Sequence, residues 1–162
     1  MTGEHNGRSE ARELLERVGF DSSATVLTRT QAEVLVLRER GYTQDEIADV
    51  LGSSRPNVAN IEGRATQNVE NAEETVRVIR AIRAPVRVEI PTGTDLYDVP
   101  DEVYDACNRA DVKVAYSAPE LMKRILDEAQ DVVSGRTIDA PLTVSVDGSG
   151  EVLIRRENRQ SE

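Results

Sequence analysis

The sequence predicts an α+β protein: an N-terminal all-helical helix-turn-helix domain followed by a small α/β sandwich domain of order β-α-β-α-β-β. Three observations predict it. From Ala32 to Ile79 apolar residues recur at three- and four-residue steps, the helical period. After Ala84 the period changes to two, with Val86, Val88 and Ile90 alternating with Arg87 and Glu89. The signature Ser/Thr-x-x-Glu/Gln, which closes a helix N-terminus with two reciprocal hydrogen bonds, occurs at Thr28, Thr43 and Ser117.

Taken in order, Met1–Gly7 is polar and reads as disordered, and Ser9–Val18 reads as a short helix with Leu14, Leu15 and Val18 on one side. Residues 1–26 are thus expected to form a flexible extension with one short helix. The helix-turn-helix domain is expected over 27–83. Its first helix starts at Thr28, buries Ala32, Val34, Leu35 and Leu37, and exits at Gly41. The second starts at Thr43, buries Ile47, Ala48 and Leu51, and turns at Gly52. A third is capped by Ser54, tolerates Pro56 in its first turn, and buries Val58, Ile61 and Ala65. The pattern continues through Val69, Ala72, Val76 and Ile79, so this helix either runs on or is closely followed by a fourth.

The second domain is expected over 85–155. Val86–Ile90 is a strand, Pro100–Ala110 a helix with Val103, Ala106, Cys107 and Ala110 on its stripe, and Val112, Val114 and Tyr116 a second strand. The Ser117 helix buries Leu121, Ile125, Leu126, Ala129 and Val132 and ends at Gly135. Leu142–Val146, the turn Asp147-Gly148-Ser149-Gly150, and Val152–Ile154 form a hairpin, and 156–162 is a polar tail.

Composition narrows the function. No apolar run approaches membrane-spanning length, and the N-terminal residues lack the apolar stretch of a signal peptide. A single cysteine, Cys107, excludes an internal disulfide, and a reducing cytoplasm is the expected location. The only histidine, His5, lies in the polar N-terminal stretch, so a histidine-based triad or zinc site is excluded by count. Cys107 falls on an apolar stripe and reads as a core thiol. Asp98, Asp101, Glu102 and Asp105 read as a solvated acidic face, not as metal ligands. The loops Thr92-Gly93-Thr94 and Ser134-Gly135-Arg136-Thr137 read as turns. No catalytic constellation, cofactor or metal site is expected.

The net charge of −10 runs against nucleic-acid binding, which draws affinity from neutralised phosphates. The charge is unevenly placed. Leu27–Arg83 holds eight arginines against nine carboxylates, a net −1, whereas the chain from Ala84 onward carries −7. With only two lysines (Lys113 and Lys123) among twenty basic residues and thirty acids, the composition is that of a protein adapted to high salt.

The joint spacing of Ala48, Gly52, Val58 and Ile61 is that of a helix pair whose second member lies in the major groove of duplex DNA. A small residue at Ala48 lets the helices approach, and Gly52 makes the turn. With Val58 and Ile61 inward, Ser54, Arg55, Asn57, Ala59, Asn60 and Arg64 form the expected DNA-facing set. Arginine suits guanine and asparagine suits adenine through paired hydrogen bonds. Arg64, the Gln44 amide and the helix end at Ser54 suit phosphate. For Asn57 a local hydrogen bond competes with base contact. Arg77, Arg80 and Arg83 form a row that reads as a solvated face, with phosphate contact or a dimer seam as the sharper alternative.

The segment from Leu27 to about residue 80 resembles the Tfx-type archaeal DNA-binding regulators, whose helix-turn-helix is similar to those of LuxR-type regulators and sigma-factor region four. The resemblance rests on Leu27-Thr28, Gln31, Glu33-Val34-Leu35, Leu37-Arg38, Gly41, Thr43-Gln44, Glu46-Ile47-Ala48, Leu51-Gly52, Arg55, Asn57-Val58, Ile61-Glu62 and Ala65. It departs from the usual pattern at Thr30, Pro56 and Ala59, in or near the expected DNA face. The resemblance implies transcriptional regulation in the cytoplasm. The expected partners are double-stranded DNA and a second copy of the chain. Two alternatives stand beside this reading: a sigma-like module that contacts RNA polymerase, and a ligand-responsive regulator with Arg87, Lys113, Tyr116 and Arg136 around a pocket.

Overall fold

The computed structural model describes residues 3–157, and the chain divides into two compact units, Met1–Thr75 and Val76–Glu162. The fold is α+β, with six α-helices and five short strands among the described residues. In the first unit α1 (Gly3–Arg17), α2 (Arg29–Glu39), α3 (Gln44–Leu51) and the start of α4 (Arg55–Arg83) surround an aliphatic core of Ala11, Val34, Leu37, Ile47, Ala48 and Val58.

Both capping boxes predicted in this unit form. The Gln31 backbone N–H donates to Thr28 Oγ1 at 3.2 Å, and the Thr28 N–H donates to Gln31 Oε1 at 3.0 Å. Thr43 and Glu46 repeat the exchange at 3.2 and 2.7 Å. Each satisfies two N–H groups that the helix itself cannot.

The N-terminal reading needs correction. Gly3–Gly7 is helical, so α1 begins well before Ser9, and the sequence position of His5 lies within it. The inward residues are Ala11 and Leu15, whereas Val18 is 67% exposed beyond the helix end. The physical reason is tertiary. Gly7 lies so close to the Tyr42 ring that a Cβ there would stand 3.1 Å from the hydroxyl oxygen. Arg8 and Arg12 donate to the two carboxylate oxygens of Glu33 at 3.2 and 3.1 Å, and Arg40 donates to Glu10 at 2.7 Å. From Gly7 to Leu15 the helix therefore packs on the reading unit and is not a flexible extension. The expectations for Met1, Thr2 and 158–162 lie outside the described residues.

In the second unit β1 (Val86–Ile90) pairs antiparallel with β4 (Leu142–Val146), and β4 with β5 (Val152–Arg156), giving the order β1-β4-β5. The register sets Val86 opposite Val146, Val88 opposite Val144, and Val144 opposite Ile154. Helices α5 (Val99–Arg109) and α6 (Ala118–Ala129) supply Val99, Val103, Cys107, Leu121, Ile125 and Ala129 to the core on this sheet. The Ser117 N–H donates to Glu120 Oε2 at 2.8 Å and closes the start of α6.

Four expectations in this unit are overturned. Val112, Val114 and Tyr116 do pack on the core, but they form no strand. That segment is held by a close approach, the Ala115 N–H donating to Gly150 O at 3.0 Å. Leu126 is 39% exposed. The last helix ends at Ala129, passes through a 3-10 turn (Gln130–Val132), and gives way to a two-residue hairpin of β2 (Val133–Ser134) and β3 (Thr137–Ile138). Gly135, with φ 62°, sits at its tip and ends no helix. Finally, Arg155 and Arg156 extend β5 into what reads as the edge of the tail, Leu142 facing Arg156.

Candidate nucleic-acid interface

The turn between α3 and α4 is built from Ala48, Gly52, Ser53 and Ser54. Gly52 adopts the left-handed conformation at φ 64°, which a residue without a Cβ reaches at least cost. The Ser53 N–H returns to Ala48 O at 2.8 Å, and Ala48 is 5% exposed beneath the turn. Ser54 Oγ accepts from the Asn57 N–H at 3.3 Å, so Ser54 caps α4 as the sequence predicts. From there α4 runs unbroken for 29 residues, resolving the choice between one long helix and two.

Val58 and Ala65 are fully buried, which fixes the rotation of α4. At about 100° per residue, Asn60 then lies on the side away from the core, Arg55 and Ala59 on one flank, and Asn57 and Arg64 on the other. Arg55, Asn57, Asn60 and Arg64 are exposed and Ala59 is half-buried. The expected set is thus brought together on one helix, but as two rows on either side of Asn60.

The partners of these side chains differ. Asn57 Nδ2 donates to Ser53 Oγ at 2.8 Å, so this amide is partly engaged within the turn. Arg55 Nε lies 3.9 Å from Asp45 Oδ2, both groups exposed, a weak pairing that a phosphate or base edge can replace.

Gln44 is more firmly held. Its Nε2 donates to Glu62 Oε2 at 2.9 Å, while Arg38 Nε donates to Glu62 Oε1 at 2.9 Å and Arg38 Nη1 to Tyr42 O at 2.9 Å. One carboxylate on α4 therefore ties down side chains from α2 and α3. The Gln44 hydrogen bond, followed by the Arg38 contacts, holds the Glu62 carboxyl below its ordinary range against the opposing effect of burial. Sequence spacing alone does not reveal this triad, because its members stand 18 and 24 residues apart.

The side chains considered for a ligand pocket do not converge. Arg87 donates to Ala81 O, Tyr116 to Glu151, and Arg136 pairs with Asp95 while lying over the Tyr97 ring. A cavity of about 380 Å³ is lined instead by Arg77, Arg80, Arg124, Glu128, Asp147 and Glu151, with Val152 and Leu153. Its charges are largely mutually paired, Glu128 accepting from Arg77 at 3.1 Å and Arg124 at 2.9 Å. Among the described residues no group of His, Cys, Asp and Glu could hold a metal ion, and no helix is long and apolar enough to cross a membrane.

A capped turn, a short supporting helix and an exposed, buttressed first segment of α4 define a helix-turn-helix protein of the DNA-binding, transcription-regulating class. Comparison with known families gives the particular one. The sequence model of the C-terminal region of the DNA-binding protein TFX matches residues 72–154, and that of sigma-70 region 4 matches residues 25–70. A Haloarcula marismortui protein, provisionally named for transcriptional regulation, is 42% identical over 153 residues, covering 94% of this chain and 96% of the relative. A similarly named protein of Methanocaldococcus jannaschii is 37% identical over 126 residues, covering 78% and 92%. The DNA-binding protein Tfx of Methanothermobacter thermautotrophicus is 29% identical over 133 residues, covering 82% and 96%. The chain belongs to the Tfx family, a family of DNA-binding regulators and not of enzymes. Its acid-rich, lysine-poor composition is in keeping with the Haloarcula relative.

Proposed function

We propose that the protein is a sequence-specific transcriptional regulator of the cytoplasm that reads duplex DNA through α4 from Ser54 to Arg64 and acts as a homodimer. The observation that carries the reading is the exposed Asn60 side of α4, fixed in rotation by Val58 and Ala65 and in position by the Glu62 contacts. Asn60 and Arg55 are the base readers in this proposal, with Asn57 beside them and Ala59 a surface for a thymine methyl. Arg64, the main-chain N–H of Gln44 at the start of α3 and the Ser54 end of α4 take phosphates. A near-neutral reading segment draws little from counterion release, so short direct contacts carry its specificity.

Selection of duplexes from a random pool, followed by gel shifts on the selected site, tests this. Arg55→Ala and Asn60→Ala are each expected to weaken the selected site by about 1–3 kcal/mol and relax the preference at one base pair. Arg64→Ala is expected to weaken all sequences alike. Equal binding by wild type, Arg55→Ala and Asn60→Ala would remove this helix from the reading role. The match of residues 25–70 to sigma-70 region 4 favours a second reading, contact with RNA polymerase. Capture of polymerase without duplex affinity at any salt would select it.

A further inference from the structure

Beyond the reading segment, α4 carries an open apolar stripe. Val76 is 49% exposed, Ile79 39% and Ile82 66%, all β-branched residues that favour helix weakly unless their side chains are packed. We propose that this stripe is the seam between two copies of the chain, with their α4 helices packed antiparallel about a two-fold axis near Val76. The proposal rests on the reading of the protein as a dimeric regulator and specifies the surface and the orientation.

The charges select both the occupant and its direction. Glu73 and Arg80 stand on the same helix and, at about 100° per residue, on the same flank of the Val76 stripe. In a two-fold antiparallel pair that flank faces its own copy, and positions at nearly equal distances, three and four residues, on either side of the axis meet. Glu73 of one copy then faces Arg80 of the other, twice over, while Val76 meets Val76 and Ala72 meets Ile79, a small residue opposite a large one. A parallel pair sets the Glu73–Arg80 flank against Asn68, Thr75 and Ile82, with no charge to answer it. Phosphate contact suits this segment poorly. Arg77, which would lead such a contact, is held by Glu128 at 3.1 Å. The seam spans about three turns, so the dimer dissociates on dilution.

Sedimentation across a concentration series, without DNA and at moderate salt, tests the seam. Wild type is expected to dimerise reversibly. Glu73→Arg or Arg80→Glu alone should raise the dissociation constant about tenfold, and the two together should restore it. Independently, Val76→Cys should link to itself on mild oxidation and Ile79→Cys should not, because positions off the axis are separated along the pair. Cys107, 1% exposed, stays outside this reaction. A monomer at every concentration, reversals without effect, reversals that the double variant does not rescue, or self-linking through Ile79→Cys would each overturn the proposal. Duplex binding by the same variants keeps the two readings apart. A wild-type dimer that ignores DNA would sink the reading role and leave the seam supported.

Discussion

At the scale of single residues, two carboxylates organise the reading unit. Glu33 is 1% exposed on α2 and accepts from both Arg8 and Arg12, whose own side chains are 40% and 51% exposed. A carboxylate removed from water is tolerated when its lone pairs are met by charged donors. Either arginine alone still answers the charge, so Arg8→Ala and Arg12→Ala should each cost no more than about 1–2 kcal/mol. The double variant strands the carboxylate and should cost about 3–5 kcal/mol, more than the two single losses together. Urea unfolding of the three variants measures this, and strict additivity would show that the two contacts act independently. Glu33 and Glu62 fall among the residues that carry the family resemblance, but nothing in their local spacing shows what they bind. Each looks like one more charge on a helix in an acidic chain, and what distinguishes it is a partner more than fifteen residues away.

At the scale of elements, local chemistry decides where helices start and long-range contact decides what extended segments become. Thr28–Gln31 and Thr43–Glu46 close within one turn, so a four-residue pattern suffices to find them. Val112–Tyr116 has the alternation of a strand but lies against the hairpin turn, where Gly150 comes so near that a Cβ would stand 2.1 Å from Lys113 O. Gly150 also holds φ at 89°. Gly150→Ala therefore combines backbone strain with a clash against main chain, and should destabilise the second unit by about 3 kcal/mol or more. Gly148→Ala, two residues away in the same turn and in open space, is the control and should be nearly neutral. Thermal melting of both variants checks the contrast; similar melting temperatures would remove the close approach as a constraint.

At the scale of the whole molecule, charge is the governing quantity. Asp21, Glu62, Asp95, Glu120 and Asp147 all have carboxyl groups held below their ordinary range, in each case chiefly by a side-chain hydrogen bond. A group whose folded value is depressed adds stability that is intact above its unfolded value and is lost as pH falls through the folded one. The protein is therefore expected to be stable at neutral pH and to lose stability steadily as pH falls through the carboxylate range. Glu62 provides a specific check. The stability difference between wild type and Glu62→Gln should be largest above the ordinary glutamate value of 4.5 and should fade below it. Melting curves at stepped pH give that difference directly, and a difference independent of pH would exclude ionisation of Glu62 as its source.

The sequence by itself determined the class of fold, the two capping boxes, the Gly52 turn, the inward Val58 and the family resemblance. All of these depend on neighbours within about two helical turns or on one unbroken periodicity. The tertiary structure alone decided that α1 reaches back to Gly3, because Gly7 must touch Tyr42 and Arg8 must reach Glu33. It also decided that the Val112 segment is not a strand and that Gln44 is held by Glu62 before it can meet a phosphate. Those outcomes depend on which distant groups the chain brings within hydrogen-bonding range. Periodicity carries no record of such meetings, since it reports which side of an element is apolar and not what lies against it.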